Sequence, residues 1–408
     1  MGETAIKTTC CIVGSGPAGM MLGFLLARAG VQVTVLEKHA DFLRDFRGDI
    51  VHPSTLELIY ELGLIGEFLK LPHEKADHLT GFIGAERVTM ADFSHLPTHC
   101  RFLALMPQWD FLNFLAAQGE RYPSFDLRMR AEATELIEQN GRVVGLRAKT
   151  PDGPLEVRAD LVVGCDGRHS TLRKSAGLFV ENIGAPIDVL WFRMSRRATD
   201  PDDVFGHIEA GKMMVMLNRG DYWQCAFVIP KGGIERVKEK GLPAFRDSVV
   251  EMSPFLADRI GEIKTWDDVK LLTVTVDRLR EWHKPGLLCI GDAAHAMSPV
   301  GGVGINLAIQ DAVAAANILV APLKAGRVTR EHLDAVQRRR SLPMRIIQQI
   351  QVVVQNRLLA PALSSAKRPT APFPVKLMTW FPVLRRIPAR LIGMGIRPEH
   401  IRTPEAPA

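Results

Sequence analysis

Gly14-Ser15-Gly16-Pro17-Ala18-Gly19 follows the uncharged run Thr8-Thr9-Cys10-Cys11-Ile12-Val13, an order of residue types suited to holding the phosphates of a dinucleotide. Gly14 permits a tight turn from strand to helix, Gly16 lets a pyrophosphate approach the backbone, and Gly19 allows helix and sheet to pack closely. Ser15 and Ala18 share the loop. Unpaired N–H groups and the positive dipole end of a helix beginning at Pro17 favour an anion there. Glu37 ends the next apolar segment, at the distance where a carboxylate accepts hydrogen bonds from ribose hydroxyls, and Lys38 stands beside it.

Two later motifs extend this chemistry. Asp166-Gly167-Arg168-His169-Ser170 follows a second apolar run, and Gly291-Asp292-Ala293-Ala294-His295 follows a third. Asp292 has the chemistry to bind ribityl hydroxyls. Pro299-Val300-Gly301-Gly302-Val303-Gly304-Ile305-Asn306 then opens a long apolar helix, and its three glycines leave room for a ring to lie against the backbone. N–H groups at that helix start suit the N1 and C2=O edge of an isoalloxazine, where negative charge gathers on reduction. The three motifs in this order read as a site for FAD. Pro299, Gly301 and Gly302 are the candidates nearest the chemistry, with no acid or base side chain among them. Arg47 is placed to reach the pyrophosphate from the other side of the sheet, Gln108 to reach the ribityl chain, and Ala133 is a further cofactor position.

Elements must bring these residues together. Apolar runs predict strands at 8–13, 31–37, 142–149, 155–163 and 286–290, and helical periodicity predicts helices at 17–29, 53–62, 108–121 and 303–323. The fold class is α/β: a Rossmann-like FAD-binding domain of the glutathione-reductase type, interrupted by an inserted β-sheet domain and followed by a helical C-terminal segment. The expected limits are 1–75, 98–182 and 278–340 for the FAD domain, 76–97 and 183–277 for the β-rich domain, and 341–408 for the C-terminal segment. The best strands of the insertion are 188–194, 212–217 and 223–229.

Composition narrows the partners. The 408 residues are 47% hydrophobic and 24% charged, ordinary for a globular enzyme. The net charge of +6 equals that of 361–408, where eight Lys and Arg face two Glu (8 − 2 = +6). No zinc-ligand spacing and no basic stripe with interleaved aromatics occurs, which argues against a metal and against nucleic acid. Six cysteines without a CxxC pair fit a reducing cytoplasm. Residues 10–27 carry no charge and approach the roughly 20 that span a bilayer, but their glycines and Pro17 divide them into a strand and a helix. Residues 373–396 mix Phe, Trp, Leu and Met with Arg385, Arg386 and Arg390, and two readings stay open: packing over the FAD domain, or peripheral contact with a membrane. Monomer and homodimer are equally open.

Over nearly its whole length the chain resembles the single-component aromatic hydroxylases, flavoprotein monooxygenases typified by para-hydroxybenzoate hydroxylase and the ubiquinone-pathway hydroxylases. The resemblance implies that Gly14, Gly16, Gly19 and Glu37 hold the AMP half of FAD, that Arg47 and Gln108 contact FAD, and that Asp166 and Gly167 serve both FAD and NAD(P)H. It implies a nicotinamide-nucleotide contact at His169 and a flavin-ring loop formed by Asp292, Pro299, Gly304, Ile305 and Asn306. It further implies that NAD(P)H binds transiently and reduces FAD, that O2 adds as a C4a-hydroperoxide, and that the distal oxygen passes to an electron-rich substrate.

The three tyrosines do not align with the phenol-activating ones of small-phenol hydroxylases. Trp191, Arg193, Met214, Met216 and Trp223 are the substrate candidates, and as a group they suggest a large apolar pocket for a lipophilic aromatic, quinone-like or polyketide-like molecule. A halogenase is disfavoured because 223–230 lacks the W-x-W-x-I-P spacing. A prenyl-chain reductase and a non-catalytic flavin-binding module remain as alternatives.

Overall fold

The computed structural model describes residues 4–42, 50–201 and 206–406. Its organising element is the strand Thr4–Val13, which pairs in parallel with Gly153–Gly164 on one side and Val33–Leu36 on the other. Its alternating side chains are buried on both faces. Cys10 and Ile12 join the core under the helix Pro17–Arg28, while Cys11 and Val13 join a second core with Leu146 and Val157. Both faces are covered, as a central parallel strand requires.

The sheet continues outward through Phe125–Arg128 beyond Val33–Leu36, and through Leu287–Cys289 and His283–Lys284 beyond Gly153–Gly164. The strand Gly153–Gly164 is long enough to take two partners along one edge. Its first half pairs with Arg142–Thr150, itself paired with Glu132–Gln139, and its last residues pair with Leu287–Cys289.

The helix Gly304–Lys324 packs against Pro17–Arg28 and Arg330–Val354. Together with the turn before it, this helix is apolar enough to cross a membrane, yet 78% of its most apolar window is buried inside the protein. Its apolarity therefore serves the core.

A second sheet of seven strands runs in the order Lys270–Leu272, Ile187–Ser195, Tyr222–Pro230, Lys212–Asn218, Gly206–Glu209, His78–Ile83, Glu86–Asp92. The segment expected at 76–97 thus supplies its last two strands. The insertion is less purely β than its strand-rich sequence suggested: the helices Ile234–Glu239 and Gly241–Met252 lie within it, and Phe245, Val249 and Met252 pack with one sheet face. The boundary expected at 340/341 falls inside the continuous helix Arg330–Val354, which accommodates Pro343 in its interior.

The C-terminal segment does two things. The helices Phe373–Trp380 and Arg386–Gly393 cover the strand Glu86–Asp92, and a Cβ added at Gly393 would lie 2.7 Å from Leu96 Cδ1. The chain then returns as an extended strap to the FAD side. Arg402 donates its N–H to Asn317 Oδ1 at 2.9 Å, and Ala406 donates its own to the Arg28 carbonyl at 2.8 Å.

Candidate flavin site

The first motif is shaped by absent side chains. Gly14 has φ +96°, and a Cβ there would lie 2.4 Å from the Cys165 carbonyl oxygen. A Cβ on Gly19 would lie 1.9 Å from the Gly14 carbonyl oxygen, so helix and turn touch directly. At Gly16 the same construction meets nothing within 4 Å: its missing side chain opens onto free space at a helix N-cap that no side chain satisfies. That is the cradle an anion needs.

Glu37, at the end of Val33–Leu36, accepts hydrogen bonds from Ser15 Oγ (2.6 Å), Ser15 N (3.1 Å) and His39 N (3.0 Å). Burial pushes its carboxyl up, but these donors outweigh burial and hold it below the ordinary carboxylate range. Lys38 beside it is exposed. Ala133, on Glu132–Gln139, belongs to the apolar cluster of Val13 and Leu36. Gln108 begins the helix Gln108–Gly119 and is half-buried. Arg47 lies outside the described residues.

The three motifs converge. Gly291 has φ +59°, and a Cβ there would lie 3.2 Å from the methyl carbons of both Ala18 and Ala308, joining the first motif, the third and the long helix. Arg168 approaches Asp292 at 3.5 Å, bringing the second motif against the third. Asp166 Oδ2 caps a short helix by accepting from Thr171 N (2.7 Å) and Leu172 N (3.1 Å), while its Oδ1 is buried without a partner. Gly167 has φ +79°, and His169 is exposed.

Arg173 was not anticipated from the sequence. It is buried, donates to Asp277 at 3.1 and 3.3 Å and to the Ala293 carbonyl at 3.4 Å, and also bonds the Arg168 carbonyl. It fastens the second motif to the third.

The loop 299–306, expected to face the flavin ring, is held by residues distant in sequence. Pro299 caps the turn Val300–Gly302, in which Gly301 (φ +79°) and Gly302 (φ +62°) adopt left-handed backbone. Asn306 Oδ1 accepts from Thr55 Oγ1 (2.7 Å) and His52 N (3.0 Å), and its amide reaches the Ile50 carbonyl at 3.3 Å. Gly304 starts the long helix, and the half-buried Ile305 packs on the main core.

Three glutamines, two on the helix Arg330–Val354 and one at its C-cap, grip the loop's approach. Gln348 donates to the Asp277 and Ala296 carbonyls, Gln351 to the Ser298 and Val300 carbonyls, and Gln355 to Ser298 Oγ. Their spacing of three and four along one helix face was the overlooked signal.

Behind the third motif lies a buried ionic chain. Asp311 accepts from His295 Nε2 (2.6 Å), Gly291 N (3.1 Å) and Arg340 Nε (3.0 Å), and Arg340 also pairs with Glu399 at 3.2 Å. Burial raises the Asp311 carboxyl, but His295 and Arg340 more than compensate and hold it below its ordinary value. His295 is thus engaged in a buried hydrogen bond to Asp311. His52 is also buried; its Nδ1 meets the Ile392 carbonyl at 2.7 Å, and burial lowers its imidazole to about 4.

The substrate candidates separate by face. Strand alternation turns Trp191, Met213 and Val215 toward the cluster that contains Val300 of the ring loop. The Trp191 indole N–H is buried and without a partner. Arg193 shares that parity but is exposed, its guanidinium 3.7 Å from the Tyr222 ring centre. Met214, Met216 and Trp223 point the other way, into the core under Gly241–Met252, where the Trp223 indole donates to Asp200 at 2.8 Å. Their assignment to substrate is corrected: they are core, because a shift of one residue along a strand changes face.

Comparison with known proteins agrees with this geometry. A family model described as FAD binding domain matches residues 7–350. The chain is 34% identical to 6-methylpretetramide 4-monooxygenase of Streptomyces rimosus over 388 residues, covering 93% of this chain and 92% of that protein. It is 30% identical over 318 residues to the 12-dehydrotetracycline 5-monooxygenase/anhydrotetracycline 6-monooxygenase of Streptomyces rimosus subsp. rimosus, covering 74% of this chain and 60% of that protein.

Among solved structures, OxyS anhydrotetracycline hydroxylase from Streptomyces rimosus shares the fold with a TM-score of 0.74 at 23% identity, covering 97% of this chain and 77% of that one. PqsL of P. aeruginosa, solved with 2-aminobenzoylacetate, gives 0.75 at 19%, covering 88% and 99%. With its glycine cradle, its converging motifs and a family match over most of its length, this chain belongs to the FAD-dependent monooxygenases.

Proposed function

We propose that this monooxygenase hydroxylates a lipophilic, polycyclic aromatic of polyketide type, with FAD resident and NAD(P)H as a transient hydride donor. The net reaction inserts one atom of O2 into a ring C–H bond and releases the other as water, while NAD(P)H and a proton supply the two reducing equivalents. FAD, when bound, accepts the hydride and activates O2; the protein's own residues bind, orient and exclude water.

The residues present fit FAD. The open space at Gly16 and the helix N-terminus behind it suit the diphosphate, and Ser15 and Glu37 suit the adenosine ribose. Asp292 and the buried, unpartnered Asp166 Oδ1 offer acceptors for further hydroxyl groups of the cofactor. The backbone of 299–306, clamped by Asn306 and Gln351, would present N–H groups to the ring. On this reading Lys38, Gln108 and Ala133 are further cofactor contacts, and the exposed His169 suits a visiting nicotinamide nucleotide.

The observation that carries the substrate reading is the apolar sheet face of Trp191, Met213 and Val215 sharing a cluster with Val300 of the ring loop. A flat, apolar ring system fits between such a face and a flavin, and the unpartnered Trp191 N–H supplies one donor for a ring oxygen. The names of the similar S. rimosus enzymes support a polyketide substrate. Six free cysteines, five of them buried, support action in a reducing cytoplasm.

Substrate-stimulated NAD(P)H oxidation under labelled O2 tests the proposal. A tetracyclic aromatic polyketide should gain one labelled oxygen per NAD(P)H consumed. Turnover confined to small charged phenols would overturn the substrate class. Turnover without O2 would make the protein a reductase, and no turnover with any aromatic would make it a binding module.

A further inference from the structure

We propose that the outer face of residues 373–390 docks on an anionic bilayer surface. Phe373, Trp380, Phe381, Val383 and Ile387 are 67%, 63%, 56%, 58% and 67% exposed. Five large apolar side chains so placed within one short segment are costly in water. The inner side of the same segment is already used: Ala389 and Gly393 are buried against Phe93 and Leu96. The exposed row therefore needs a different partner.

Charge identifies that partner. Between Asp334 and Glu399 the chain has twelve Lys and Arg and no Asp or Glu. Arg386 and Arg390 are exposed within the apolar row, Lys376 is half-buried beside it, and Lys367 and Arg357 are exposed upstream. A second copy meeting this face across a two-fold axis would set the same cations against each other with no acid in the segment to answer them. An anionic membrane complements the cations and takes the aromatic rings at its headgroup level. The helices Phe373–Trp380 and Arg386–Gly393 are far too short to span, so contact is peripheral.

The face also adjoins the site. Ile392, at the end of the second helix, accepts the His52 Nδ1 hydrogen bond, and His52 N donates to Asn306 of the ring loop. A lipophilic substrate leaving the bilayer would enter beside the flavin; this last step rests on the substrate reading above, whereas docking does not.

The test is co-sedimentation of the FAD-loaded full chain with vesicles of equal parts phosphatidylglycerol and phosphatidylcholine, against vesicles of phosphatidylcholine alone. Binding is expected to the anionic vesicles only and to weaken with salt. Replacing Trp380, Val383 and Ile387 together by Ser should lower the bound fraction by about tenfold or more, and so should Arg386→Gln with Arg390→Gln, with FAD content unchanged in both. Absence of binding at low salt by FAD-loaded protein would overturn the proposal. A dimer in size-exclusion chromatography that the triple Ser variant converts to monomer would also overturn it, assigning the face to a second copy.

Discussion

The two ends of the proposed cofactor cradle are built by different physics. At the end proposed for the pyrophosphate, the first motif works by what is missing: Gly14 and Gly19 leave room for turn and helix to touch, and Gly16 opens onto free space. At the other end, proposed for the flavin, the loop 299–306 and the third motif are held by charged and polar side chains from elsewhere, namely Asp311, Arg340, Glu399, Gln351 and Thr55, and by the backbone N–H of His52. The first device is local and steric. The second is long-range and electrostatic, and it makes the flavin end dependent on the packing of the C-terminal strap.

The comparison breaks most visibly at Arg340. Arg340→Ala leaves Asp311 and Glu399 buried without their shared cation and should cost about 3–5 kcal/mol. Thermal unfolding, together with flavin fluorescence in the folded protein, checks it; stability within about 1 kcal/mol of wild type would show that the ionic chain does not hold the flavin end. Gly19→Ala forces a Cβ into the Gly14 carbonyl and should cost about 1–3 kcal/mol, with FAD lost from the purified protein. Full FAD retention in that variant would remove the steric account of the first motif.

Acid should separate the two ends without mutation. Because His52 has its imidazole lowered to about 4, the unfolded chain takes up a proton that the folded one refuses. Its contribution is present above the ordinary imidazole value and fades as the pH falls toward 4, by about 2 kcal/mol between pH 7 and pH 5. Glu37 at the other end is also lowered, so its contribution fades only below the ordinary carboxylate range. Melting temperature across this window should drop in wild type and flatten in His52→Gln; the same slope in both would refute the assignment.

The smallest effects sharpen the two faces of the seven-stranded sheet. Trp191→Phe should lower kcat/KM by about tenfold with melting temperature little changed, because it removes the unpartnered indole N–H and part of a wall of the proposed pocket. Trp223→Phe, on the opposite face, should lower stability with kcat/KM retained, since it removes one donor from the buried Asp200 carboxylate, leaving Arg259 and the Arg197 N–H, and opens space in the core. Reversal of that pattern would exchange the roles of the two faces.

The first motif was legible because its task needs residue types at fixed short spacings: Gly14, Gly16, Gly19 and Glu37 are set by turn geometry and strand length. The helix limits 17–29 and 108–121 lay within two residues of Pro17–Arg28 and Gln108–Gly119 for the same reason. Arg173, His52 and the three glutamines escaped because their partners lie tens to hundreds of positions away, as with His52 and Asn306, 254 residues apart. Met214, Met216 and Trp223 were misassigned for a subtler reason. Alternation announces that a strand has two faces, but which face meets helices Ile234–Glu239 and Gly241–Met252 is a matter of domain packing.

Local stereochemistry, then, is what the sequence alone determined: an α/β chain with three cofactor motifs in order, each readable because glycine, carboxylate and helix start act on their immediate neighbours. Tertiary structure decided which distant side chains clamp the 299–306 loop, which sheet face turns toward it, and how the basic C-terminal segment divides into a covering pair of helices and a strap. Those outcomes depend on burial and on charge pairing across the chain, where the energy of one residue is set by partners that its neighbours in sequence do not reveal.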